Sequence, residues 1–64
     1  MRLQEFWTRM REQFGDLRAE SISRDHHFAE LGGRSAVGAI DAGVQVRTVW
    51  LAVCEEFDVP ARVR

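Results

Sequence analysis

The sequence predicts an all-α fold, a single small bundle of about four helices. Three observations carry that expectation. Apolar residues recur at helical spacing near both ends of the chain, glycines stand where those periodic stretches stop, and only one proline interrupts 64 residues.

The first helix is expected over residues 2–14. Leu3, Phe6, Trp7, Met10 and Phe14 fall at i, i+3, i+4, i+7 and i+11, which places them on one stripe. Glu5 and Arg9 form a favourably ordered i,i+4 pair on the other side. Gly15 is a left-handed stop, and Asp16 can cap the next helix by accepting from its orphan N–H groups.

A second helix is expected over 17–31. At 100° per residue Leu17, Ser21, Phe28 and Leu31 share one side, while Ala19, Ile22, His26 and Ala29 share another. Glu20, Ser23, His27 and Glu30 form a polar arc, so that His26 points inward and His27 outward. Gly32-Gly33 ends this helix, because paired glycines lose the most backbone entropy in a helix interior. Ser35 then caps a short third helix, 36–42, carrying Val37 and Ile40 and stopped by Gly43.

The fourth helix, 46–57, repeats the first one's pattern. Val46, Val49, Trp50, Val53 and Phe57 stand 43 residues after Leu3, Phe6, Trp7, Met10 and Phe14, position for position. Two aromatic-rich stripes are therefore expected to face one core. Asp58-Val59-Pro60 turns the chain out, and 58–64 is expected to be a loosely packed tail.

One domain fits in this length, and a chain so short buries about 60% of the surface it exposes when unfolded. One cysteine, Cys54, excludes an internal disulfide. Charged residues interrupt the N-terminal stretch, no run approaches the roughly 20 apolar residues that span a bilayer, and a reduced cytoplasmic protein without membrane attachment is expected. Net charge is −1, with +1 over residues 1–14, −2 over 15–31 and balance thereafter. All nine basic residues are arginine, and no basic footprint for nucleic acid is visible.

Gly43 invites a helix-turn-helix reading of 35–57, with Ala39, Val44, Val49 and Ala52 at the small and apolar positions, although Gly38 stands where an apolar residue is usual. The outward positions of the second helix would then be Gln45, Val46, Arg47, Trp50, Leu51 and Cys54, followed by Glu55 and Glu56. Phosphate contacts need Lys and Arg, and one arginine beside two glutamates supplies little. Asp25-His26-His27 with Cys54 lacks metal-ligand spacing, since adjacent helical histidines point about 100° apart. Cys54 at the edge of an apolar stripe behaves as a small hydrophobe rather than a nucleophile, and the glycine pair has no phosphate-loop pattern. No catalytic residue, cofactor site or metal site is expected.

Two contact candidates remain. Arg24, Asp25 and His26 with Gly32, Gly33 and Arg34 gather polar chemistry at one corner. The structural reading is favoured there: Asp25 or His26 bonds the glycine-turn backbone, and Arg34 pairs with an acid. Leu51, beside Arg47, could join Val59 and Val63 in an apolar patch.

Met1-Arg2-Leu3 with Glu5-Phe6, Phe14-Gly15, Asp25-His26, Leu31-Gly32-Gly33-Arg34-Ser35, Ala39-Ile40, Ala42-Gly43-Val44, Val49-Trp50, Ala52-Val53-Cys54 and Phe57-Asp58-Val59-Pro60 together resemble a family of small actinobacterial proteins, domain of unknown function 3046. The resemblance runs over essentially the whole chain. It implies a stand-alone cytosolic protein with no assigned activity, whose relatives' genes often neighbour those of the recombinase RecA and its regulator RecX. Where such relatives read Gly-Val-Asp-Pro, this chain has Gln45 and Val46 and forfeits a cap worth around 1 kcal/mol. Leu51 replaces a residue that is commonly basic in the family. The expected function is a non-catalytic module that binds a protein partner or a second copy of itself. The alternative is a helix-turn-helix-like nucleic-acid binder linked to DNA repair.

Overall fold

The fold was obtained as a computed structural model that describes residues 1–64. Four α-helices make up most of it: α1 (Leu3–Phe14), α2 (Asp16–Asp25), α3 (Ala36–Asp41) and α4 (Val46–Glu56). Between α2 and α3 run two short antiparallel strands, β1 (His27–Phe28) and β2 (Arg34–Ser35), joined through a 3-10 turn at Ala29–Leu31. A second 3-10 turn, Ala61–Val63, closes the chain.

The two aromatic stripes meet as the 43-residue offset anticipates. Phe6, Met10, Val49, Trp50 and Val53 are all buried. The Phe6 ring stands edge-on to Trp50 at 6.4 Å, and one register further along Phe14 meets Phe57 at 5.5 Å. Edge-to-face geometry sets the positive rim of one ring against the negative face of the other. Ala36 and Ala39 let α3 approach closely, and Ser35 caps that helix by accepting from the Gly38 N–H at 3.0 Å.

The second helix is shorter than its periodicity predicts. It stops at Asp25, because His26 is extended (φ −79°, ψ 133°) and Phe28 pairs with Arg34 instead of continuing the spiral. Gly32 and Gly33 have φ of +70° and +81°, and the Gly33 N–H donates to the Phe28 carbonyl at 2.9 Å. The glycines thus close a return strand rather than cap a helix, which is why Phe28 and Leu31 reach the core through β1 and its turn. On α2 itself two side chains are inverted: Leu17 is 88% exposed, and Ser23 is fully buried. Asp16 is the first residue of α2 and makes no side-chain cap; its charge lies in the first turn, where the helix dipole favours it.

The last residue of the tail is tied to α1 and α4. The Trp50 Nε1–H donates to the backbone oxygen of Arg64 at 3.2 Å, and Arg9 donates to the same oxygen at 2.8 Å. The Arg64 guanidinium returns to the Val59 carbonyl at 2.8 Å and pairs with Glu55 at 3.1 Å. A buried indole needs an acceptor, and the returning backbone is the one within reach.

Replacing Phe6 by Ala should cost about 3–5 kcal/mol, enough to unfold much of a domain this small at 25 °C, as read by circular dichroism. Ser23→Ala should act in the opposite direction. The buried Ser23 hydroxyl has no hydrogen-bond partner. Its removal, with Ala's better helix propensity, should raise stability by about 0.5–1.5 kcal/mol in a urea titration.

Candidate functional site

The polar corner divides among different faces. Arg24 leans from α2 toward α1, its guanidinium carbon 5.9 Å from the centre of the Trp7 ring and its Nε bonded to Glu20. His26 turns the other way. Its ring packs against Phe28 and Phe57 at 4.7 and 5.0 Å, and its Nε2 lies 2.9 Å from Glu56 at the end of α4. Asp25 is exposed. Gly32 and Gly33 lie in the turn between the strands, and Arg34 opens β2, its guanidinium reaching the Leu31 carbonyl at 3.4 Å. The anticipated bonds from Asp25 or His26 to the glycine turn, and from Arg34 to an acid, are therefore not the ones made. The extended backbone at His26 carries its ring onto α4 instead, and Arg34 lies close to its own turn.

Arg47 and Leu51 lie on the exposed strip of α4, with Thr48 and Glu55. Two of the side chains assigned outward by the helix-turn-helix frame, Trp50 and Cys54, are 1% and 0% exposed. Within the α3–turn–α4 unit Ala39, Val49 and Ala52 are buried and Val44 is half-buried. It leaves one narrow strip facing out, carrying a single arginine. Val59 is also buried (2% exposed), so the patch envisaged for Leu51, Val59 and Val63 does not form. A shallow cleft of about 560 Å³ beside Leu51 is rimmed by Glu30, Thr48, Glu55 and Arg64, and Arg64 is already committed to the tail.

The most apolar concavity lies elsewhere. A groove of about 200 Å³ is lined by Leu3 and Trp7 of α1, Arg24 of α2, and Val37, Ile40 and Asp41 of α3. It exists because α1 packs mainly on α2, and α3 packs on α2 and α4, leaving α1 and α3 as separate walls. Leu3 is 47% exposed, and Trp7, Val37 and Ile40 are half-buried. Their apolar surface exceeds what the core covers. Of the residues singled out from the sequence, this groove contains Arg24 alone. The others carried no separate signal, since Leu3 and Trp7 belong to the same stripe as the buried Phe6 and Met10.

No three His, Cys, Asp or Glu side chains converge in a way that could hold a metal ion. No helix is long and apolar enough to cross a membrane. Burial pushes the Cys54 thiol above its ordinary range, against the opposing pull of Arg64 and Arg9.

A four-helix module with a small β corner and an apolar surface groove is thus the class of protein these residues define. The chain belongs to the family described as Protein of unknown function (DUF3046), which it matches over residues 1–62. It is also similar to a Mycobacterium tuberculosis protein named "Putative envelope-preserving system protein", with 50% identity over 36 residues. That match takes in 56% of this chain and 13% of the mycobacterial protein, so the chain corresponds to a small part of that relative. No solved structure matches the chain.

The raised thiol pKa makes a prediction with a definite sign. The folded state favours the neutral thiol, so the contribution is fully present below the unfolded thiol's pKa of about 8.5 and is lost as pH rises through the folded value. The chain has no lysine and no tyrosine, leaving Cys54 as the one side chain that titrates in this range. Urea midpoints should fall between about pH 8 and pH 10, and Cys54→Ala should flatten that loss.

Proposed function

We propose that this chain is a non-catalytic protein-docking module whose contact surface is the groove between α1 and α3. One observation supports the reading above the others: Leu3, Trp7, Val37 and Ile40 line a single concavity and remain partly exposed there. Grouped apolar surface of this kind marks sites of macromolecular contact more often than scattered exposed leucines do. Tryptophan and arginine are the residues that most often dominate such contacts, and Arg24 lies over the Trp7 ring here, 5.9 Å from its centre.

The charge balance argues against nucleic acid as the partner. The exposed strip of α4 offers Arg47 and then Glu55, followed by Glu56, and the net charge of the chain is −1. A phosphate-binding surface would need several unpaired cations on one face.

Leu3→Glu is the informative variant. Position 3 is exposed and opens α1, where an acid is tolerated or favoured, so folding should change by no more than about 0.5 kcal/mol. Binding of a protein partner should weaken roughly tenfold or more, measured by calorimetry or sedimentation. A salt-sensitive mobility shift with short DNA or RNA, unaffected by Leu3→Glu, would replace this reading with the nucleic-acid one.

A further inference from the structure

We infer that the occupant of the groove is a second copy of this chain, held in a two-fold dimer by reciprocal Arg24–Asp41 pairs. The inference rests on the docking reading above and names the partner. Arg24 stands on the α2 side of the groove and Asp41 on the α3 side, with the apolar side chains between them. Only the Nε of Arg24 is used within the chain, by Glu20, so both Nη groups of the guanidinium fork are free of intrachain bonds. Asp41 is exposed and makes no ion pair or side-chain hydrogen bond within the chain. The two groups line one groove without pairing with each other.

An isologous contact requires a patch complementary to itself, residue i meeting j while j meets i. A free guanidinium fork and a free carboxylate on opposite sides of an apolar floor meet that requirement. A two-fold axis through the floor sets each Arg24 against the other copy's Asp41, in the forked geometry that suits arginine and carboxylate. The same operation brings the α1 wall of Leu3 and Trp7 to the other copy's α3 wall of Val37 and Ile40. A partner presenting charge of a single sign would satisfy only one of the two rim charges.

Size limits the affinity. Stable dimers commonly bury about 800 Å² per partner, roughly a fifth of the 4176 Å² this chain exposes. The molecule measures 25 × 23 × 21 Å. One of its faces therefore offers on the order of 500 Å² in projection, the size of a small, reversible contact.

Charge reversal tests this directly by analytical ultracentrifugation. Wild-type chain should pass from 7.4 kDa toward twice that mass as concentration rises to about 1 mM. Arg24→Asp and Asp41→Arg should each weaken self-association at least tenfold, because each sets two like charges against one another. An equimolar mixture of the two variants should recover a dimer of near wild-type affinity, since both cross-contacts become complementary again. That recovery also shows that each variant is folded. A wild-type monomer at about 1 mM, or a mixture that stays monomeric, overturns the self-pairing. A photo-crosslinking residue at position 3, introduced into the full chain in cells, separates the two failures. A homodimeric product supports the inference, and a product with a different protein overturns it while leaving the docking reading intact. No product overturns both.

Discussion

The rest of this fold depends on one buried indole. Trp50 is enclosed on α4, and enclosure is tolerable only if its N–H finds an acceptor. The acceptor is the backbone oxygen of Arg64, which also takes a bond from Arg9 of α1. A single oxygen thereby ties the last turn of the chain to its first and last long helices. Phe6 completes the arrangement from the α1 side, edge-on to both Trp50 and Trp7. In a domain with so few buried residues, this cluster replaces the disulfide or metal that many chains of similar length require.

α1, α3 and α4 were legible in the sequence to within a residue or two, because their signals are local. An apolar stripe, a Ser35 cap and a glycine after the last turn each act over a few positions. The end of α2 was not legible for the opposite reason. Phe28 and Leu31 sit at spacings that a helix also satisfies, and what diverts them is the bond from Gly33 to Phe28 that closes the strand pair. The paired glycines marked a stop, but nothing near them distinguished a helix end from a return strand. Ser23 misled for a related reason: polarity is a poor guide to burial when neighbours enclose a helix on two sides.

The groove was hidden by the very pattern that revealed α1. Leu3 and Trp7 share the stripe of Phe6 and Met10, and periodicity identifies a face without saying how much of it the neighbours cover. α3 is six residues long and cannot cover the whole stripe. The polar corner failed as a single site because extended backbone at His26 separates side chains adjacent in sequence. Arg24 went to Trp7 and His26 to Phe57 and Glu56. Membership of the family, by contrast, was readable from short motifs spread along the chain, since those motifs coincide with caps, turns and core positions.

The two tryptophans, alike in the periodic pattern, occupy opposite environments. Trp50 is sealed and hydrogen-bonded, whereas Trp7 is half-buried beneath a guanidinium at the groove. The chain thus contains two built-in optical probes. Emission from the sealed indole reports whether the interior is intact, and emission from the half-open one, accessible to aqueous quenchers, reports whether the groove is covered. Unfolding and surface occupancy can therefore be followed separately in one unlabelled sample.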